Sequence, residues 1–173
     1  MDQSSQIVKT VAAGLLALTA ALPAQAQVVG ADSRVFVLEP LSLLNVGSLS
    51  FGDISASAAA GTVVVDPDSG TRAVSGGVAA LGGTVSAARF LGTGTANSNV
   101  AIIREPQGFI TVTRSGGTET MTVDDFTVEG GNGARQIRSD RVLDFKIGGT
   151  LNVGPNQAEG TYLGTFEVIV DYR

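Results

Sequence analysis

The chain has 173 residues, with 11 basic against 16 acidic side chains, and it contains neither His nor Cys. The missing imidazole and thiol exclude the most common zinc ligands, the imidazole general base and the thiol nucleophile. Disulfides are excluded as well, so stability must come from packing and backbone pairing. The net charge of −5 comes without any basic stripe, which argues against nucleic-acid binding.

The first 26 residues predict a signal peptide. Lys9 places a positive charge before the apolar residues 10–22, and Ala24-Gln25-Ala26 has the small-x-small pattern of a cleavage site. The apolar run is shorter than the roughly 20 residues that span a bilayer as a helix, and an uncleaved anchor is the alternative. We therefore expect cleavage after Ala26, export through the periplasm to the surface or exterior, and no membrane insertion of the mature chain.

The mature chain predicts an all-β domain, because segments with period-2 alternation recur and helical periodicity is hard to find. The segments that we predict as strands are 33–44, 49–54, 61–66, 87–91, 99–104, 109–114, 119–128, 143–153 and 160–173. The Gly-rich or Pro-rich turns between them are 68–70, 75–77, 115–117, 130–133 and 154–156, and residues 55–61 are predicted as a loop. This spacing favours one antiparallel β-sandwich with Greek-key connections; the rival, a parallel β-helix, would need a fixed repeat that the sequence lacks.

The last segment, residues 160–173, has the clearest strand pattern. One predicted face carries mainly large apolar side chains, namely Tyr162, Phe166, Val168, Val170 and Tyr172. The other face carries Thr165, Glu167, Ile169 and Asp171. We predict a single strand here, with no later segment of the sequence to pair beside it.

No catalytic constellation can be assembled from the sequence, so we predict that the protein is not an enzyme and that it holds no metal or cofactor. Residues 66–71 carry acidic side chains, but their spacing departs from a calcium loop and favours a hairpin turn. Asp124 and Asp125 are adjacent on a predicted strand and should point to opposite faces. Arg135, Arg138 and Arg141 could bind an anionic glycan, although a solvated face is the preferred interpretation.

Several motifs recur together along the chain: PLSL at 40–43, LSFGDI at 49–54, GTR at 70–72, GGV at 76–78, MTVDDF at 121–126, IGGTLNVG at 147–154 and NQAEGTY at 156–162. Together these segments resemble one bacterial family, of small exported proteins catalogued as a domain of unknown function. The resemblance covers nearly the whole chain from about Val37.

The A-x-G-T-Y ending and the LxFG motif are also similar to the spore-coat-U-like domains of archaic chaperone–usher pilins. Those pilins commonly carry cysteines, whereas this chain has none. The resemblance implies an immunoglobulin-like sandwich that lacks its final strand and exposes a groove beside the last one. A periplasmic chaperone would fill the groove first, an outer-membrane usher would receive the subunit, and the N-terminal extension of another subunit would then replace the chaperone.

On this hypothesis the chain divides into a signal peptide at 1–26, an N-terminal extension at 27–38 and a sandwich domain at 39–173. The acceptor strand would use Tyr162, Phe166, Val168, Val170 and Tyr172. The donor strand of a second copy would use Val29, Ala31, Ser33, Val35 and Val37. We expect a surface-fibre subunit that self-associates head-to-tail. The alternatives are a closed monomeric sandwich, with 27–38 part of its first strand, or a module that binds glycans or matrix polymer.

Overall fold

Thirteen β-strands and no helix make up the residues that the computed structural model describes, 34–131 and 133–173. The strands are β1 Ser42–Gly47, β2 Ser50–Phe51, β3 Ile54–Val65, β4 Arg72–Ala80, β5 Val85–Ser86, β6 Ala88–Thr93, β7 Asn99–Glu105, β8 Ile110–Arg114, β9 Thr120–Val128, β10 Ala134–Gln136, β11 Val142–Val153, β12 Tyr162–Leu163 and β13 Glu167–Tyr172. None of the described residues forms a helix that could cross a membrane. The predicted signal peptide and the donor positions Val29, Ala31 and Ser33 lie outside the described residues.

The strand order confirms the predicted immunoglobulin-like sandwich. One sheet contains the antiparallel series β1-β6-β11-β9, extended by β8 and β12, with the β3–β4 hairpin paired to β11; the second contains β10-β7-β13, and β2 and β5 form a separate two-stranded sheet. When β1, β6, β7, β9, β11 and β13 are taken as strands A to F, these are the ABED and CF arrangements of an immunoglobulin-like domain. The place beside β13 where strand G would lie is not filled by any described residue.

The core lies between the two sheets and is centred on β11. The alternation predicted for residues 143–153 is confirmed, since Leu143, Phe145 and Ile147 are buried. Phe145 stacks on Phe90 of β6 with ring centroids 5.4 Å apart. Val100, on β7 of the second sheet, belongs to the same core cluster. Burial of these side chains provides the main drive for closing the sandwich.

The β3–β4 hairpin corrects two predictions. Residues 55–61, predicted as a loop, lie within the bounds of β3, where 55, 56 and 61 pair with β4 and 57–60 bulge out of the ladder, and the predicted turn at 75–77 lies within β4. Gly, Ala and Ser have weak intrinsic strand preference, but backbone pairing and the buried Val63 and Val65 hold them in the sheet. The predicted turn at 66–71 is confirmed: the Asp66 carboxylate accepts a hydrogen bond from the Ser69 amide at 2.7 Å.

The last predicted strand is in fact two strands in different sheets. β12 pairs with β8, β13 pairs with β7, and residues 164–166 pass between them. At Gly164 a Cβ would lie only 2.8 Å from the Thr111 carbonyl oxygen, so the chain crosses where no side chain intervenes. The Tyr162 hydroxyl donates to the Ala158 carbonyl at 2.8 Å, the tyrosine-corner arrangement of immunoglobulin-like folds.

Candidate functional site

The C-terminal strand β13 has one edge without a partner among the described residues. Its paired edge lies against β7, where the Arg173 amide donates to the Asn99 carbonyl at 3.0 Å. Hydrogen-bonded and non-hydrogen-bonded positions alternate along an antiparallel pair. Counting back from Arg173, Val168 and Val170 occupy non-hydrogen-bonded positions, so their backbone N–H and C=O groups point away from β7. The free edge of β13 therefore offers unpaired donors and acceptors.

The side chains of β13 follow the predicted alternation. Val168, Val170 and Tyr172 are partly buried and pack against the core, whereas Glu167, Ile169 and Asp171 are exposed. This apolar face of β13 is therefore itself only partly covered by the rest of the domain.

Phe166 continues that face into the core. Its ring lies 5.0 Å from Phe126 and 6.4 Å from Phe90, measured between centroids. Tyr162 packs against the same core from β12, so all five predicted acceptor residues contact one core, although they come from β12, from the connection at 164–166 and from β13.

Residues of the N-terminal part of the domain also pack against the core. The partly buried side chains among them are Leu41, Leu43, Leu49, Phe51 and Ile54. β1 pairs with β6, and no described strand lies along its other edge. We call the space between these five side chains and the five predicted acceptor residues the groove. The sequence patterns did not identify this second side, because residues that face each other across a groove are not neighbours in the chain.

One end of the groove is tied by a hydrogen-bonded junction. The Tyr172 hydroxyl donates to the Glu39 carbonyl at 2.7 Å and accepts from the Thr95 amide at 2.7 Å. The Glu39 carboxylate forms an ion pair with Arg141 at 2.8 Å. These contacts hold the residues that lead into β1 beside the end of β13.

The other end of the groove opens into a cavity of about 450 Å³. Its apolar lining includes Phe51, Ile54, Met121 and Tyr162, which come from both sides of the groove. A neighbouring cavity of about 370 Å³ shares Ile54, Met121 and Tyr162 with it. Space of this size can receive apolar side chains from a bound segment.

The described donor positions are exposed. Val35 and Val37 have 83% and 84% of their surface accessible, and Phe36 between them has 83%. Among the residues described from 34 onwards, no strand begins before Ser42, so the predicted strand at 33–44 is wrong for residues 34–41. Four consecutive apolar side chains, Val35 to Leu38, therefore face solvent beside the start of the sandwich domain.

The charged residues considered above do not converge on a common site. Arg135, Arg138 and Arg141 pair with Glu129, Asp140 and Glu39, respectively. The hydrogen bond from Arg138 lowers the pKa of Asp140, as expected for a compensated pair. These partners leave the three arginines less available to an anionic ligand.

The two adjacent aspartates lie at a bulge in β9. Asp125 has a φ of 43° where the register with β11 shifts, and it is exposed, whereas Asp124 is partly buried. Their different surroundings give no paired-carboxylate geometry. The hydrogen bond from the Ser69 amide lowers the pKa of Asp66, which is consistent with its role in the turn.

Comparison with known proteins gives one match. A family model described as "Domain of unknown function (DUF4402)" matches residues 41–172, which include β1 to β13. No curated protein and no solved structure matches the chain significantly.

Proposed function

The chain belongs to this family of unknown function, and we propose that it is a structural subunit of a cell-surface fibre, assembled head-to-tail by donor-strand complementation. The groove is the observation on which this proposal rests. An unpaired strand edge above a partly covered apolar core is normally a liability, and proteins usually protect it. Here the free edge of β13 offers the backbone partners that an added strand needs, and its partly buried apolar face offers contacts for alternate side chains.

The proposed occupant is the N-terminal extension of a second copy. Residues 27–38 alternate small or β-branched side chains at Val29, Ala31, Ser33, Val35 and Val37. Side chains of this size suit shallow positions along β13, and alternation sets the register of an added strand. The exposure of Val35 and Val37 in the single chain supports their availability to a partner.

Export and assembly partners follow from the same proposal. A signal peptide at residues 1–26 would deliver the subunit to the periplasm. There the apolar groove would need protection from aggregation, which a strand-donating periplasmic chaperone would provide until an outer-membrane usher receives the subunit.

Proline at Val168 tests this function. Proline lacks the N–H group, and at Val168 that group faces the free edge, so the ladder to β7 stays intact. We expect V168P to fold but to form no fibres in electron micrographs. The matched control is Ile169→Thr, which changes an exposed neighbouring side chain and leaves the backbone donors in place. Folded V168P that forms fibres as efficiently as the control would refute the proposal.

A monomeric module for glycans or matrix polymer is the second interpretation. The three arginines that would carry the contact each have a carboxylate partner. We therefore rank it below assembly. Saturable glycan binding by a chain that stays monomeric would reverse that order.

A further inference from the structure

The outer face of the small sheet carries two carboxylates directly opposite each other. Glu167 of β13 pairs with Glu105 of β7, and neither side chain forms an ion pair with any described residue. The neighbouring Arg104 does not compensate them, because its guanidinium lies over the ring of the core residue Phe126, 5.3 Å from the centroid. Like charges that face each other across two strands destabilise a sheet. A positive charge beside Glu167 would therefore stabilise this end of β13.

The free edge of β13 brings an added strand close to that point. The outward side chains of β13 are Glu167, Ile169 and Asp171. The backbone groups of these three residues point to β7, so they occupy non-hydrogen-bonded positions relative to an added strand. At such positions Cα atoms are about 4.5 Å apart, against about 5.5 Å for a hydrogen-bonded pair such as Glu167 and Glu105. A residue of the added strand opposite Glu167 would contact it more closely than Glu105 does.

The proposed donor segment, residues 27–38, contains one basic residue. Arg34 lies between Ser33 and Val35, so in an extended strand it faces away from the core-facing side chains of the segment. The other charged residue of the segment is Asp32, two positions earlier on the same face. Arg34 is exposed in the single chain and forms no ion pair with a described residue. The segment would therefore bring one positive and one negative charge to the outer face of the sheet.

One antiparallel register satisfies both faces of the segment. It places Arg34 opposite Glu167 on the outer face. The core-facing pairs in the same register are Val29–Tyr172, Ala31–Val170, Ser33–Val168 and Val35–Phe166. Four of the five donor side chains thus lie opposite an acceptor side chain, and Val37 extends past the start of β13. The antiparallel direction is preferred because parallel pairing is slightly less stable per residue.

Charge disfavours the neighbouring registers. The segment can shift only in steps of two residues without turning its core face outwards. One step in one direction sets Asp32 opposite Asp171, and one step in the other sets it opposite Glu167. Both place like charges at the closest cross-strand positions. Two steps in the first direction put Arg34 opposite Asp171, but they leave the first two donor positions with no residue of β13 opposite them.

We propose that Arg34 sets the register of the donated strand by pairing with Glu167 of the accepting copy, where it also offsets the repulsion between Glu167 and Glu105. This inference rests on the proposed function and adds the residue that determines its register. The core-facing side chains of the donor are all small or β-branched and so distinguish poorly between registers. The attraction of Arg34 and the repulsion of Asp32 on the outer face select one of them.

Cysteine cross-linking tests the register, since the natural chain has no Cys. With Arg34 opposite Glu167, Asp32 lies opposite Ile169 at a non-hydrogen-bonded position, which is within disulfide reach. Fibres of full-length D32C/I169C should therefore give a ladder of disulfide-linked multimers on oxidation. The matched variant F36C/I169C should give at least several-fold less, because its cysteines would lie about four residues, or roughly 13 Å, apart. A stronger ladder from F36C/I169C would overturn the register.

Charge reversal tests the role of Arg34 separately. Arg34→Glu should lower the yield of fibres several-fold, because it places a third carboxylate beside Glu105 and Glu167. Adding Glu167→Arg to R34E should restore the yield, since the pair forms again with opposite signs. Asp171→Arg in R34E is the matched control, a reversal on the same face of β13, and should not restore it. Equal rescue by both changes, or none by E167R, would overturn the pairing.

The outcomes separate this inference from the proposed function. Fibres that cross-link through F36C/I169C, or that D171R alone restores, would overturn the register and leave donor-strand assembly standing. A natural chain that forms no fibres, or a V168P chain that forms them as efficiently as its control, would overturn the proposed function and this inference with it.

Discussion

The two tyrosines of the chain show how much a single side chain does at the borders of the groove. Each puts its ring against the core and its hydroxyl on a backbone carbonyl, Tyr162 on Ala158 and Tyr172 on Glu39. The alternation in the sequence predicted which way the rings face. The hydroxyl partners could not be predicted, because the Glu39 carbonyl is 133 positions away in the chain.

Replacing Tyr162 with Phe tests how much the hydroxyl of this tyrosine corner contributes to stability. The change removes the bond to Ala158 and the 2.7 Å bond accepted from the Gln157 side chain, while the ring stays. We expect the free energy of unfolding to fall by about 1 kcal/mol in urea titrations, since partly buried polar groups on Gln157 and Ala158 lose a partner. Leu163→Ala, at a 65% exposed neighbour, is the control and should change stability by less than about 0.5 kcal/mol. Equal stability of Y162F and the natural chain would contradict this role.

At the scale of elements, the β8–β9 hairpin was well predicted and the β3–β4 hairpin was not. β8 and β9 alternate apolar and polar residues around the turn at 115–118, so local pattern and pairing agree. Residues 55–61 and 75–77 carry the small, polar or flexible side chains of loops, yet Ser55, Ala56, Gly61, Ser75 and Gly76 all have partners in the β3–β4 register. The alternation of side chains in a sequence reveals which of them are buried. It does not reveal a strand that is held in place mainly by backbone hydrogen bonds to its neighbour.

The β8–β9 hairpin carries a pH-sensitive ion pair between Arg114 and Glu119. Arg114 donates to both carboxylate oxygens of Glu119, at 2.7 and 2.9 Å, and this lowers the pKa of Glu119 from 4.5 to about 2. Because the folded-state pKa lies below the unfolded value, ionised Glu119 stabilises the fold above pH 4.5. That contribution is lost as the pH falls towards 2.

Glu119→Gln should therefore flatten the dependence of unfolding free energy on pH between about 4.5 and 2, measured by urea titration at stepped pH. Arg114→Gln should flatten this pH dependence to a similar extent. The double variant should behave much like either single variant, because each change removes the same Arg114–Glu119 interaction. An unchanged slope in E119Q would show that the pair contributes nothing to folding.

At the scale of the whole molecule, the strand edges that lack a described partner differ in character. The β13 edge borders a groove whose cavities are lined in part by apolar side chains, whereas the β4 edge lies in the other sheet, beside mostly exposed side chains. On the proposal above, the β13 edge accepts a single donated strand.

A strand added in the groove should stabilise the whole domain. For a chain that begins at Leu38, a synthetic peptide of residues 27–38 should raise the free energy of unfolding by about 2.7 kcal/mol at a hundredfold excess over its Kd. Thermal unfolding measured across a range of peptide concentrations checks this. A peptide with Val35 and Val37 changed to Asp is the control. Identical unfolding curves with both peptides would exclude 27–38 as the donor.

The sequence by itself determined the all-β class, the buried face of β11, the turn at 66–71 and the side of β13 that faces the core. Each of these is a local consequence of side-chain periodicity or turn chemistry. Only the tertiary structure decided that residues 160–173 divide between two sheets, that Leu41 to Ile54 form the second side of the groove, and that β4 ends a sheet. The reason is physical: strand pairing joins backbone groups, which are alike in every residue but proline, so the sequence pattern does not show which segments meet.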